Sequence, residues 1–458
     1  MTKPRQPFTP WLLLRATLLT IALVATTCGA IGDAFAHDED AETALERELE
    51  ANLDRIAQET AELRELPPLA EIDDVLISQD ELLAMMPELI AEEITPEEAA
   101  AQSRSLAALG FIPAGTDLLD LTVRLMSEQV AGYYDPLSDE MRVLFDGNPG
   151  LTEYFYAHEV IHALQDAYLD PDDLMEDLTA LNSDQVLATV ALYEGDAVAG
   201  SAAYLERHPA LAGAFLREIG RDSPVMDTAP AMDTAPAAVV VALLFPYTSG
   251  AAFVDRLLAE GGWDAVDAAY SDIPASTEQI LHPLKYLERD EPSLLALPDP
   301  VSALGADWRL VDEDTLGELQ TALLLANFDP GEGFNSITGE MALPEAARNA
   351  AAGWDGDRFA LWEDGERETL VWRSVWDTSQ DARAFSRALA QFGNDRWNSV
   401  FNGESPDDVA LVTPDIAARI LLAGQEVLYV QAPDLSLADA ALAALQTVPP
   451  PDPAPGPN

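Results

Sequence analysis

The sequence has almost no cysteine and almost no lysine. Cys28 is its single cysteine, so no disulfide can brace the fold and no thiolate cluster can hold a metal. Lysine occurs only at Lys3 and Lys285; all basic residues number 24 against 81 acidic ones, a net charge of -57 at pH 7. So acidic a surface repels nucleic acid and anionic lipid, both of which are bound through cationic contacts. Counterions would screen its self-repulsion in salty surroundings. Histidine is scarce as well, with five in 458 residues, so two histidines close together carry information. What is plentiful is apolar residue, 48% of the chain, enough for a sizeable core despite the charge.

The basic residues that exist are placed tellingly at the start. Lys3, Arg5 and Arg15 precede an apolar stretch from Ala16 to Ala25, and Ala34-Phe35-Ala36 follows as an A-x-A cleavage site. These are the parts of a secretory signal peptide, which predicts export to a periplasmic or extracellular location and a mature chain from His37. The stretch is too short for an ordinary membrane span, so no stable span is expected after cleavage. Cys28 would leave with the signal. Acylation of Cys28 into a lipoprotein is the lesser alternative, because Ala25-Thr26-Thr27 matches a lipidation site poorly.

Past the signal, the texture of the sequence changes in steps. In residues 42–66, Leu45, Leu49, Leu53, Ile56 and Leu63 form one apolar helical stripe, predicted to pack on the body rather than on a partner. Helices follow near 79–93, 96–109 and 117–129; Thr95-Pro96-Glu97-Glu98 gives the second a cap, a first-turn proline and a capping-box glutamate. VAGYY (130–134) and MRVLF (141–145) read as a β-hairpin, and the Asn148-Pro149-Gly150 turn leads into another helix. Further helices are expected near 184–205, capped by Asn182, and near 248–260, 263–270 and 276–288, whereas 222–238, with DTAPA twice, reads as a loop. From about 306, strand-like runs such as ETLVWRSVW alternate with helical ones such as DARAFSRALAQF. The reading is an α+β chain: signal 1–36, helical region 37–115, a mainly helical domain with a small sheet edge 116–305, a smaller antiparallel α+β domain 306–447, and a proline-rich tail 448–458.

The chemistry concentrates in YFYAHEVIHALQDAY, residues 154–168. Residues four apart share a helix face, so His158 and His162 can aim both imidazoles at one point. A catalytic zinc asks for such ligands plus an open position for water, and Glu159 is placed to take that water's proton. Chance would produce H-E-x-x-H in roughly one chain of this composition in 200. A third ligand is needed, and Glu194 in ALYEGDA (191–197) on the next predicted helix is the leading candidate, with Gly195 and Ala197 allowing close helix approach. Asp166, on the face of His162, is a candidate to hydrogen-bond a ligand histidine. His208, at a helix end, reads as a capping or surface residue, and His282 remains a competitor for the metal.

AHEVIH followed by an E-G-x-A helix resembles the gluzincin group of zincin metallopeptidases, whose third ligand is a glutamate on a later helix. More closely, GYYDP, AHEVIHALQD, ALYEGDA and STEQILHPLKY, in this order over about 120–290, resemble an uncharacterised family of exported prokaryotic proteins assigned as metallopeptidases by inference. The resemblance implies a zincin-like catalytic domain in which an edge strand holds extended substrate, with Tyr133 and Tyr134 near the cleft. It also implies one Zn2+ per chain and a peptide or protein substrate. The sequence departs from the better-known gluzincins: the spacing to Glu194 is longer, and Val198 stands where their E-x-x-x-D aspartate would be, Asp196 lying two residues after Glu194. The third ligand therefore stays open between Glu194 and His282. Zincins often stabilise the oxyanion with a His or Tyr from outside the metal helices, a role open here to His282 or Tyr286 in 276–286. The acidic run DPDDLMED (170–177) could take Ca2+, but lacks EF-hand spacing and reads first as a solvated loop. The expectation is an exported zinc metallopeptidase; the alternatives are an inactive zincin fold or an acidic extracellular binding protein.

Overall fold

The computed structural model describes residues 20–23, 47–70, 72–135, 140–145, 149–169, 178, 181–213, 231, 234–327 and 343–449. Cys28, the signal cleavage site, the acidic run 170–177 and half of the DTAPA repeats lie outside the described residues; of the second repeat, Ala235 and Ala237 are described and buried rather than in an exposed loop. Over the described residues the chain is α+β, largely helical, and its C-terminal part is an antiparallel sheet.

The first part contains β1 (Thr20–Leu23), α1 (Leu53–Arg64), β2 (Asp73–Ile77), α2 (Gln79–Glu93), α3 (Pro96–Leu109) and α4 (Leu118–Gln129), then β3 (Val130–Asp135) and β4 (Glu140–Leu144). Thr95 and Glu98 form the expected capping box, with Pro96 opening α3. The strands make one sheet in the order β1-β3-β4-β2. β3 and β4 are the expected hairpin, with Gly132 opposite Val143, and β2 adds parallel to β4. Along the other edge of β3, the backbone of β1 pairs antiparallel.

Under this sheet run α5 (Pro149–Tyr168) and α6 (Ser183–Arg207). Both are buried over most of their circumference, as helices at the centre of a domain are. The α1 stripe packs on the body: Leu49, Leu53, Ile56 and Ala61 share a cluster with Phe155, Val160 and Leu164 of α5. The residues 237–261 depart from expectation, because the helix begins at Ala237 rather than near 248. It runs through α7 (Ala237–Phe245), a π-helical turn (Pro246–Gly250) and α8 (Ala251–Gly261). AAVVVALLF is buried on all sides, so it has no polar face from which a helical period could be read. Among the described residues this is the one helix long and apolar enough to cross a membrane, and 67% of its apolar window is buried inside the fold.

Then come α9 (Trp263–Ala269), α10 (Thr277–Leu281), α11 (Pro283–Glu288) and α12 (Pro300–Leu304). The helix expected over 276–288 is broken at His282, where Pro283 has no N–H to continue the ladder. The C-terminal part holds β5 (Arg309–Asp314), α13 (Gly317–Ala326), α14 (Glu345–Ala351), β6 (Trp354–Asp364), β7 (Arg367–Trp376) and α15 (Ser379–Trp397). It closes with β8 (Asn402–Ser405), β9 (Asp408–Val412), β10 (Ala417–Ala423), β11 (Glu426–Ala432) and α16 (Leu435–Leu445). The seven strands form an antiparallel sheet, β5-β6-β7-β11-β10-β9-β8. The period of two along β7 separates its faces. Trp372 and Trp376 meet Phe385 of α15, while Val371 packs in the cluster of Ala438, Ala441 and Leu442 of α16.

Carboxylates cap helix starts within and between the two parts. Asp314 of β5 accepts from the Ser183 N–H (2.9 Å) at the start of α6. Asp184 of α6 accepts from the Thr277 hydroxyl and N–H at the start of α10. Asp357 of β6 accepts from Leu316 and Gly317 N–H at the start of α13. Lys285 bridges Glu278 (2.7 Å), Asp377 (2.8 Å) and Asp290 (3.1 Å). Burial dominates the titration of this junction: it pushes Asp357 up to about 6, Asp314 to about 7 and Glu278 to about 8, the last despite Lys285. In the unfolded chain such groups titrate near 4, so between about pH 4 and 8 the folded protein holds more protons and loses stability as pH rises. The melting temperature is expected to fall from pH 6 to pH 8.5 at fixed salt, and the slope to flatten in Asp314→Asn. A melting temperature that rises over that interval contradicts the assignment.

Candidate metal centre

α5 and α6 cross so that His158, His162 and Glu194 face one another in the interior, all at most 3% exposed. His158 Nε2 lies 3.2 Å from His162 Nε2 and 3.2 Å from Glu194 Oε2. The third edge, His162 Nε2 to Glu194 Oε2, is 3.4 Å. Ligands about 2.1 Å from a tetrahedral ion are about 3.4 Å apart, so this triangle has the dimensions of one face of such a site. These three residues form a group able to hold a metal ion. Electrostatics agree. Burial raises the Glu194 carboxyl, but His162 and His158 outweigh it and hold it at about 2. Burial lowers His162, but Glu194 outweighs it and raises the imidazole to about 9. Two imidazole nitrogens pointing at one carboxylate in a dry interior are stable only with a proton or a cation between them.

The surroundings hold each ligand. Gln165 Oε1 accepts from His162 Nδ1 at 2.8 Å, which leaves Nε2 as the free lone pair toward the centre. Gln165 in turn donates to the Tyr193 carbonyl (2.9 Å) and to Asp196 (3.2 Å). Asp166, the expected partner of a ligand histidine, instead accepts from Tyr134 at 2.7 Å. Glu159 is fully buried on α5, and Gly132 of β3 lies against it: a Cβ there would stand 3.4 Å from Oε1. Strand β3 therefore passes directly over the carboxylate.

A residue that sequence reasoning missed completes the group. Tyr247, in the π-helical turn, donates its hydroxyl to Glu194 Oε1 at 2.9 Å and stacks on His158 with ring centroids 6.3 Å apart. Burial, then Glu194 and Glu159, push its phenol well above the usual range, so it stays protonated. Close backbone approach delivers it: a Cβ on Gly195 would lie 2.3 Å from the Gly250 carbonyl oxygen. Gly195 thus allows close approach of the π turn rather than of the histidine helix, which Gly200 meets through Ile161; π turns recur at functional sites.

Other expected site residues are placed elsewhere. His282 pairs with Glu318 at 3.0 Å, and Tyr286 donates to the Asp272 carbonyl at 2.9 Å. Both belong to the junction and its neighbouring helices rather than to the metal group, which corrects their expected catalytic role and leaves Glu194 as the third member. Tyr133 and Tyr134 are buried, with hydroxyls engaged by Arg142 and Asp166. His208 pairs with Glu59 at 2.8 Å. A cleft of about 660 Å3 between α3 and the C-terminal sheet shares no residue with the metal group. Its arginines are committed, Arg104 to Glu363 and Glu368 and Arg396 to carbonyls 107–109.

A domain of unknown function, DUF8575, matches residues 308–442. Nothing among curated proteins or solved structures matches the chain. The match covers the C-terminal sheet with α15 and α16 and leaves the metal group outside it.

Proposed function

We propose that the protein is an exported zinc metallopeptidase. The observation that carries this is the triangle of His158, His162 and Glu194 at tetrahedral-edge spacing, with Glu159 next to the first ligand on the same helix. A zinc ion held by His158, His162 and Glu194 would supply Lewis acidity, polarising a carbonyl and lowering the pKa of a bound water. Glu159 takes the proton of the attacking water and passes it to the leaving amine. The Tyr247 phenol donates its one O–H to Glu194 Oε1, and turning that O–H onto the substrate oxygen would let it stabilise the negative charge that develops there.

The sheet supports a peptide substrate. The outer edge of β3 accepts main-chain pairing, for β1 takes it antiparallel with Ile21 opposite Tyr133 and Thr20 opposite Tyr134. β1 lies within the segment read as the export signal, and its removal leaves that edge open. An extended peptide on the same edge passes over Glu159, because Gly132 in the middle of β3 touches it.

Elemental mass spectrometry of the mature protein tests the metal directly. We expect about one zinc per chain, lost in His162→Ala. Wild-type protein without zinc after incubation with zinc refutes the peptidase reading and leaves an acidic binding protein.

A further inference from the structure

The N-terminal helix reaches the metal group through a single buried chain of contacts. Arg64, the last residue of α1, is fully buried in a sequence with few cations. Its Nε and Nη2 grip both oxygens of Asp196 at 2.7 and 3.2 Å, and Nη2 also holds Asp267 at 2.6 Å. Trp263 lies beneath the guanidinium, 4.4 Å from its centre. Asp196 is two residues beyond Glu194 and fully buried; it also accepts from Tyr270 at 2.7 Å and from Gln165 at 3.2 Å. Gln165 then accepts from the outer nitrogen of His162 at 2.8 Å.

We infer that Arg64 is a positioning residue of the metal centre, acting on His162 through Asp196 and Gln165, and that α1 is therefore part of the working protein. This rests on the metal reading above. The chain does two things at once. It fixes which ring nitrogen of His162 carries the proton, and it clamps Asp196, on the helix bearing Glu194, in a fork of fixed geometry while Gln165 ties that carboxylate to the helix bearing His162. Arginine suits the position because its planar group meets both carboxylate oxygens together, which an ammonium cannot. The leucine stripe of α1 buries that helix on α5, so the guanidinium is presented from a docked element. Cleavage after residue 66 would thus disable the centre rather than release it, and any maturation cut that preserves activity must fall before α1.

The test uses the full mature chain with Arg64→Met, Arg64→Lys and Gln165→Met. Zinc affinity is read by chelator competition, and ligand geometry by the visible absorption of the Co2+-substituted protein. Arg64→Met and Gln165→Met are each expected to weaken zinc binding by roughly 10–100-fold and to shift the Co2+ bands. The double variant is expected to be little worse than either single one, since both break the same chain. Arg64→Lys is expected to recover part of the affinity. Wild-type zinc affinity and an unshifted Co2+ spectrum in Arg64→Met overturn the inference even if its melting temperature falls. If Arg64→Met does not fold, the same result in Gln165→Met overturns it. Wild-type protein that takes no metal overturns the metal reading and this inference together.

Discussion

If the protein works as proposed, Glu159→Gln is expected to lower peptide-bond hydrolysis by roughly a thousandfold and to leave zinc content unchanged. The magnitude follows from removing a group that moves a proton in the transition state. Glutamine keeps the volume and the contact with Gly132 but cannot accept the water's proton. The carboxylate is fully buried on α5, so an isosteric amide disturbs packing little. The measurement is a pair: turnover of a peptide library by mass spectrometry, and metal content of the same preparations. Retained zinc with lost turnover is the expected result. Unchanged turnover removes Glu159 from the mechanism and returns the search to other carboxylates.

Tyr247→Phe is expected to cost about a hundredfold in kcat while KM changes only a few-fold. Removing one donor to a developing oxyanion typically has this effect, and the ground-state substrate makes little use of the bond. The ring remains, so the stacking on His158 survives. Zinc affinity is expected to stay within a few-fold of wild type, because Glu194 keeps its metal-facing oxygen, Oε2, while losing only the bond at Oε1. A Tyr247→Phe protein that loses zinc but turns over normally when zinc is in excess would reassign the phenol to holding Glu194 alone.

The buried pair of Arg64 and Asp196 shows why the metal group cannot be altered piecemeal. Both side chains are fully buried, and removal of one partner leaves an uncompensated charge at a cost of roughly 3–5 kcal/mol. The same carboxylate anchors Tyr270 and Gln165, so its loss reaches three elements. The departure from the E-x-x-x-D pattern acquires a physical sense here. An aspartate two residues past the ligand, rather than four, projects from a different side of α6, toward α1 and α9.

Local interactions were legible without a structure. His158 and His162 share a face because of the helical repeat alone, and the caps at Thr95 and Asn182 follow from hydrogen-bond geometry within four residues. The hairpin of β3 and β4 and the stripe on α1 are likewise properties of short windows, as is the α+β character of the chain. Contacts between distant elements were not legible. Glu194 and His282 were both acceptable as third ligands, and only the crossing of α5 with α6 separated them. Tyr247 carries no local signal, because the π turn follows AAVVVALLF, a run with no polar face from which a helical period could be read. Asp166 and Gln165 both follow His162 by about one turn, yet Gln165 makes the bond because it faces α6, where it also meets the Tyr193 carbonyl and Asp196, whereas Asp166 faces Tyr134 of β3. Local propensity is written residue by residue, whereas the meeting of Arg64, Asp196, Gln165 and His162 exists only once three helices have buried their apolar surfaces together.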